Sequence, residues 1–480
     1  MTLSTMLIGI GIAALLILAA QYLFKAKPEF VWMSFLQNFV GVLFLFSGWV
    51  KAIDPLGTAY KMEQYFAEFD SVFEPTWFGF IAPLFPVLSE YAISFSVIMI
   101  VFEIVLGLLI LLGIYRKFAV WAFFLLVVFF TILTGFTYLT GYVPQDGTFF
   151  DFSSWSTYAK SNMKVTDCGC FGDFIKLEPK VSFFKDIFLL FPSVLFLLFS
   201  KKMHTLLKKK AAFWTTLATL VLTTVYCFSN YVWDIPHLDF RPFKEGVDIQ
   251  AQKLIEEEAM GNVQVVGFLM KNKLDPNKKL EISVADYSKY SDEWEVDEQI
   301  KTEPTLVPSK ISEFTLKDID ENDAEYEILE NENKSVVIVA YKLKGETVRS
   351  TETVVDTVTI FDPESEEEMV KYVNKDIDVV DYQAKPEYAK KYTSKVVPFV
   401  DSAIEKGYDV FFLVGGTSAE EVQDFANDVN LNATVLTGDD ILMKTIIRSN
   451  PGVMLLDKAT VKKKYHIRKL PAFSESLIEE

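Results

Sequence analysis

The sequence predicts an α-helical polytopic membrane bundle of six transmembrane helices, followed by a soluble α/β domain with a β-rich insertion. Three observations carry this. Six long apolar stretches fall between residues 3 and 231, and none of comparable length follows. Charge divides at the same place: 14 acidic residues stand against 16 basic ones up to residue 230, and 50 against 30 beyond it, so the formal charge of −18 belongs to the second half. From residue 313 onward, short β-branched runs alternate with helical patterns, as in a compact α/β domain.

The first stretch, 3–24, has no basic residue before its apolar run and is expected to stay as a transmembrane helix within an N-terminal segment 1–31. The rival reading is a cleaved signal peptide ending near Leu18-Ala19-Ala20-Gln21. Cleavage would invert every later helix and put Lys208 to Lys210 outside. The second stretch, 32–50, ends in Trp49-Val50-Lys51, a Trp and a Lys placed as interfacial anchors. The third and fourth are 91–114 and 118–141. The fifth, 185–200, is short of the roughly 20 residues a span needs and is extended through Val181 to Phe184, and the sixth is 212–231. Lys25 and Lys27, Arg116 and Lys117, and Lys201, Lys202 and Lys208 to Lys210 occupy alternate loops, which are therefore expected to be cytoplasmic. The N-terminus, the loops 51–90 and 142–184, and everything after Tyr231 are then outside.

Between the second and third spans, Ala59, Met62, Phe66 and Phe69 recur at helical spacing and predict a short amphipathic helix over 58–69 on the outer leaflet. Residues 75–86 are apolar but broken by Pro75, Pro83 and Pro86, which suits an interfacial or re-entrant segment. Glu103 stands inside the third span, where an ionisable group must be neutral or paired. It is either a proton or quinone contact or a protonated carboxyl hydrogen-bonded between helices. No histidine lies within a span, so the bundle offers no paired histidines for a haem.

Beyond the sixth span, residues 232–312 read as a linker and a β-rich subdomain, with strand-like runs such as Val263 to Phe268. Residues 313–480 read as strands at 335–341, 408–414, 433–436 and 452–457 and helices at 397–407, 418–428 and 440–447. The acidic stretch 344–386, with Glu364 to Glu368 inside it, is expected to be a solvated loop.

The chain has only three cysteines, too few for a disulfide framework, and two of them form Asp167-Cys168-Gly169-Cys170-Phe171-Gly172-Asp173. Cys168 and Cys170 can close into a small strained ring across Gly169, and strain makes such a bond a better oxidant. The neighbouring Asp167 and Asp173 are expected to raise the thiol pKa values, with Lys164 and Lys176 offsetting them in part, unless a helix N-terminus points at the loop. Cys227, about one turn from the outer end of the sixth span, is either a third member of a relay or a small apolar residue. Two thiolates without a nearby histidine make a poor zinc site, so no metal is assigned.

On Ser47-Gly48-Trp49-Val50-Lys51, Asp54-Pro55-Leu56-Gly57, the helix Glu103 to Gly113 and the segment Asp167 to Asp173, residues 32–200 resemble the DoxX/MauE superfamily of bacterial membrane proteins. The resemblance implies a four-helix core made of the second to fifth spans, with residues 201–231 as a sixth helix. It also implies a place in the bacterial inner membrane and a link to disulfide formation in periplasmic partners. The whole chain is most similar to a subgroup from Bacteroidetes-type bacteria that fuses this core to an extracytoplasmic tail. In the tail, Ser449 to Lys458 resembles a TlpA-like thioredoxin domain, with Pro451 matching the cis-proline before a strand. The tail departs from that family in having no Cys-X-X-Cys, since no cysteine follows Cys227.

The leading expectation is therefore a thiol-disulfide oxidoreductase acting on extracytoplasmic partners through Cys168 and Cys170, with Cys227 as a relay candidate. Glu103, Lys51 and Pro451 are candidate binding residues, and a quinone is the candidate electron acceptor. A non-catalytic membrane anchor with a structural cysteine clip and a small-molecule transporter built around Glu103 are the two alternatives. Nucleic-acid binding is set aside, because so acidic a tail repels it and carries no basic stripe.

Overall fold

Long, largely apolar runs become helices wherever they must satisfy their own backbone, and the first half of the chain does this six times. The structure, a computed structural model, describes residues 2–24, 28–145, 147–274, 278–302, 306, 308–362 and 367–479. The expected orientation signal at Lys25 and Lys27, and the acids Glu364 to Glu366, lie outside the described residues. The chain forms two compact units, Met1–Phe240 and Arg241–Glu480.

In the first unit, α1 (Leu3–Leu23), α2 (Val31–Ile53), α3 (Pro55–Phe73) and α4 (Leu84–Glu90) are followed by α5 (Ala92–Leu112), α6 (Arg116–Thr140), α7 (Pro179–Phe199) and α8 (Lys209–Phe228). Six of these, α3 and α4 excepted, are long and apolar enough to cross a membrane. The fifth span starts at Pro179, earlier than expected, because proline at a first helical position fits where no N–H is needed. Helix α2 packs against α5, α6 against α7, α1 along α2, and α3 along α5. Phe44, Phe123 and Phe196 meet in the centre, the first two edge to face at 5.1 Å.

At one end, Arg116 donates to the carbonyl of Met203 at 3.0 Å and the amide of Leu206 to that of Leu112 at 2.9 Å. The basic segments at 116–117 and 201–210 therefore share an end of the bundle. His204 is buried there, hydrogen-bonded to Ser34 Oγ at 2.7 Å and to the Leu111 carbonyl at 2.9 Å.

Two expectations change here. The helix forecast over 58–69 is longer, from Pro55 to Phe73, and buries Tyr65 and Glu68 against the bundle. Asp54 caps it by accepting from the Gly57 amide at 3.0 Å, directly after α2 ends. That immediate turn covers the end of α2, so Lys51 is buried and is not an exposed interfacial anchor.

In the second unit, α9 (Ile249–Gly261) precedes a three-stranded antiparallel sheet of β1 (Val265–Asn272), β2 (Lys279–Ser283) and β3 (Trp294–Lys301), order β2-β1-β3, with the one-turn α10 (Tyr287–Tyr290) inside it. Then come α11 (Tyr326–Leu329), β4 (Lys334–Ala340), β5 (Gly345–Asp362), β6 (Glu367–Ala384), α12 (Pro386–Lys391), α13 (Val397–Glu405), β7 (Asp409–Gly415), α14 (Ala419–Asp428), β8 (Thr434–Gly438), α15 (Asp440–Ile446), β9 (Gly452–Asp457), β10 (Thr460–His466) and α16 (Ser476–Glu479). Five strands make one sheet, order β10-β9-β4-β7-β8. Strands β4, β7 and β8 run parallel, and β9 and β10 are antiparallel to their neighbours. Strand β4 is buried along nearly its whole length, as a central parallel strand covered on both faces must be. The Asn450–Pro451 peptide that leads into β9 is cis.

The expected acidic loop 344–386 is instead a hairpin: β5 and β6 pair antiparallel in unbroken register from Gly345↔Ala384 to Asp362↔Glu367. Its β-branched residues, such as Thr353, Val354, Val355 and Thr357, favour a pleated strand, and pairing satisfies the backbone that a loop would leave to water.

Candidate functional site

The segment between α6 and α7 has little regular structure, yet it is tied down at several points. Val165, Cys168, Phe171, Ile175 and Leu177 are buried, and the last four join the apolar core formed with Leu189 and Val127. The Cys168 amide donates to the Leu177 carbonyl at 3.4 Å, Ser47 Oγ of α2 donates to the Cys170 carbonyl at 2.9 Å, and Lys61 of α3 pairs with Asp167 at 2.9 Å. Gly169, between the cysteines, has φ +61°, and a Cβ there would stand 3.0 Å from Lys61 Cγ. Only glycine takes that left-handed turn freely, and the turn brings the two Sγ atoms to 2.9 Å. Cys168 is buried and Cys170 partly exposed.

The charges that act on this pair are not the ones beside it in sequence. Asp167 is held by Lys61, Asp173 lies 3.8 Å from Lys176, and Lys164 is drawn off to Glu68 at 3.4 Å. What faces the sulfurs is the first turn of α7: Ser182 Oγ donates to Cys168 Sγ at 2.7 Å, and Lys185 lies one turn further on. The two thiols share a proton unequally. The hydrogen bond between the two sulfurs, opposed by burial and aided by the Lys185 ammonium and the Ser182 hydroxyl, draws Cys168 down to about 7, while Cys170 is held well above the usual thiol value. The expected upward shift on both cysteines is therefore reversed at Cys168, because the hydrogen bond with Cys170, the Lys185 ammonium and the Ser182 hydroxyl act on it directly, while the neighbouring carboxylates already have partners.

Beneath the loop lie two buried ion pairs. Lys51 Nζ is 2.6 Å from Glu103 Oε2, with side chains 8% and 6% exposed, and lies 5.5 Å from the Phe130 ring centre. Lys185 pairs with Asp186, whose other oxygen accepts from Thr134 Oγ1 at 3.0 Å. A cavity of about 30 Å³, bordered by Ser47, Lys51, Glu103, Cys170, Lys185 and Asp186, connects the two pairs to the second sulfur and has room for one water. A second cavity of about 200 Å³ lies between α3, α5, α6 and the cysteine loop, with Lys51 and Glu103 at its floor and both cysteines in its wall.

Four residues singled out from the sequence thus come together: Cys168, Cys170, Lys51 and Glu103. Cys227 does not join them. It is buried among Ala52, Val97, Ile100 and Ile104 and borders neither cavity. Pro451 belongs to the second unit, where the preceding Asn450 bonds Tyr388 at 3.0 Å and the Lys342 carbonyl at 2.8 Å. Sequence reading passed over Lys185, Asp186 and Ser182. Lys185 and Asp186 sit in an apolar run and carry the same signal that marked Glu103.

Residues 27–145 match a family model described as Methylamine utilisation protein MauE. The match runs through α2 to α6, takes in Lys51 and Glu103, and stops before the cysteine loop. No curated protein and no solved structure matches the chain. With its six apolar helices and this match, the chain is a multi-pass membrane protein whose residues 27–145 are MauE-like.

Proposed function

We propose that the protein exchanges disulfides with extracytoplasmic partners through Cys168 and Cys170, from a bacterial inner membrane in which the basic end of the bundle faces the cytoplasm. The observation that carries this reading is the pair itself: two sulfurs 2.9 Å apart on a glycine turn, pinned over buried cations, with Cys168 buried and Cys170 partly exposed.

The asymmetry supports an order of events. In the oxidised pair, a partner thiolate attacks the sulfur of Cys170, the less buried of the two residues, and Cys168 leaves as the thiolate, since the sulfur of lower pKa leaves faster. The partner's second thiolate then attacks the mixed disulfide and releases Cys170. One S–S bond has formed in the partner and one has broken in the pair, and two electrons and two protons have passed from partner to pair.

The second unit, at residues 313–480, supports a thioredoxin-like reading through its sheet. Strand β4 lies between the parallel β7 and the antiparallel β9; helices follow β7 and β8 directly, and the β5–β6 hairpin stands between β4 and its helices α12 and α13. The positions after β4, where a Cys-X-X-Cys would stand, hold Tyr341-Lys342-Leu343-Lys344. This unit then binds the partner and takes no part in exchange. The matched family's description names methylamine utilisation, and the present reading does not depend on it, because the match ends before the pair.

The test is the reduction potential of the pair in the purified full chain, by thiol trapping across glutathione buffers, with Cys227→Ser in parallel. A potential above about −200 mV supports disulfide donation, and a shift in the Ser variant adds Cys227 to the path. A potential below about −300 mV, or thiols that never oxidise, leaves a structural clip in a membrane anchor.

A further inference from the structure

A disulfide donor must itself be reoxidised, and the cavity beside the pair has the shape and chemistry of a site for the oxidant. We propose that the cavity between α3, α5 and α6 binds the ring of a lipid-soluble quinone, which takes two electrons from the reduced Cys168–Cys170 pair; this rests on the exchange reading above.

Three observations support it. The cavity measures about 200 Å³, and its walls are largely apolar, with the aromatic Tyr65, Phe66, Phe69 and Phe95 among them. Apolar cavities of about 150 Å³ take up benzene, so the present one has room for a substituted ring. Polar groups stand at its margins. Thr58 Oγ1 is buried there without a hydrogen-bond partner among the described residues. The Lys51 ammonium spends one of its three donors on Glu103. Both can donate to a quinone oxygen. Finally, Met99 and Phe129 belong to this cavity and also to an apolar furrow of about 500 Å³ that runs between α5 and α6 toward Phe118. The furrow, which shares Met99 and Phe129 with the ring site, would take the isoprenoid tail, which a water-soluble oxidant would not need.

The reaction balances without another reagent. Two S–H bonds break and one S–S bond forms between Cys168 and Cys170. The two electrons and two protons pass to the ring, whose carbonyl oxygens become the hydroxyls of the quinol. The Lys51–Glu103 pair at the cavity floor can relay a proton to the nearer oxygen.

The full chain, in detergent with Cys227→Ser, would be reduced, freed of reductant and mixed without oxygen with decylubiquinone, a fully substituted quinone that thiols do not arylate. Quinone absorbance and thiol mass-tagging are followed, and glutathione disulfide serves as a water-soluble oxidant in a parallel sample. The inference expects one quinone reduced per pair, at a rate that saturates with quinone concentration. Leu133→Trp, which fills the cavity, should lower the quinone rate relative to the glutathione rate at least tenfold. If the pair equilibrates with glutathione but not with the quinone, or if Leu133→Trp leaves the ratio of rates unchanged, the quinone site is wrong and the exchange reading stands. If neither oxidant is reduced, both readings fall.

Discussion

Replacing Ser182 with Ala removes the hydroxyl that donates to Cys168 Sγ at 2.7 Å and leaves the fold of α7 otherwise intact. A hydrogen bond to a charged group contributes about 1.5–3 kcal/mol. At about 1.36 kcal/mol per pKa unit, its loss should raise Cys168 by about one to two units from its value of about 7. The sign follows from which form the bond favours: the hydroxyl stabilises the thiolate, so without it the thiolate appears only at higher pH. At a pH below both midpoints the thiolate fraction, and with it the rate of alkylation, falls about ten- to a hundredfold.

The assay is the pH dependence of haloacetamide alkylation in the reduced, full-length protein with Cys227→Ser, with the modified residue located by mass spectrometry. Both proteins should be alkylated first at Cys168 and should converge in rate well above pH 9, which also shows that the loop is intact in the variant. An unchanged midpoint in Ser182→Ala would refute the assignment of Cys168 as the sulfur that ionises.

Lys51→Met leaves Glu103 buried without its cation and should destabilise the bundle by about 3–5 kcal/mol, whereas Lys51→Met with Glu103→Gln should recover most of the loss. Thermal denaturation in detergent reads both, and simple additivity of the single variants would argue against a direct pair. Gly169→Ala forces a side chain into a left-handed position against Lys61, and should cost about 1–2 kcal/mol and slow closure of the Cys168–Cys170 bond by diamide. Unchanged oxidation and melting would show that the turn tolerates another conformation.

The six spans were legible because length and apolarity alone decide whether a helix can satisfy its backbone in hydrocarbon. The alternation of β4, β7, β8 and β9 with helices was legible for a related reason, since buried parallel strands need continuous apolar runs. Helix α14 even carries its start signal in sequence, Ser418 and Glu421 forming a reciprocal cap. The hairpin β5–β6 was misread because its acids were weighed above its β-branched residues. Helix α9 was missed because Glu256 looks like a solvated charge, while in the structure it is buried and accepts from the Ser309 and Ser312 amides.

The chemistry of the cysteine loop illustrates a different limit. Its local sequence holds two carboxylates and two ammonium groups within six residues of the cysteines, and counting them predicts thiols that are hard to ionise. Tertiary structure assigns each of those groups elsewhere: Asp167 to Lys61 from α3, Lys164 to Glu68, and Lys176 toward Asp173. Cys168 then answers first to its partner Cys170 and next to Lys185 and Ser182, 17 and 14 residues away in the chain, on a helix whose N-terminus the sequence alone had begun too late. A charge acts on a thiol according to distance and to what already neutralises it. Both are properties of packing, so sequence could locate the Cys168–Cys170 pair but could not order the two sulfurs. That order decides which sulfur a partner attacks and which one leaves, so the alkylation of Ser182→Ala bears directly on the direction of exchange.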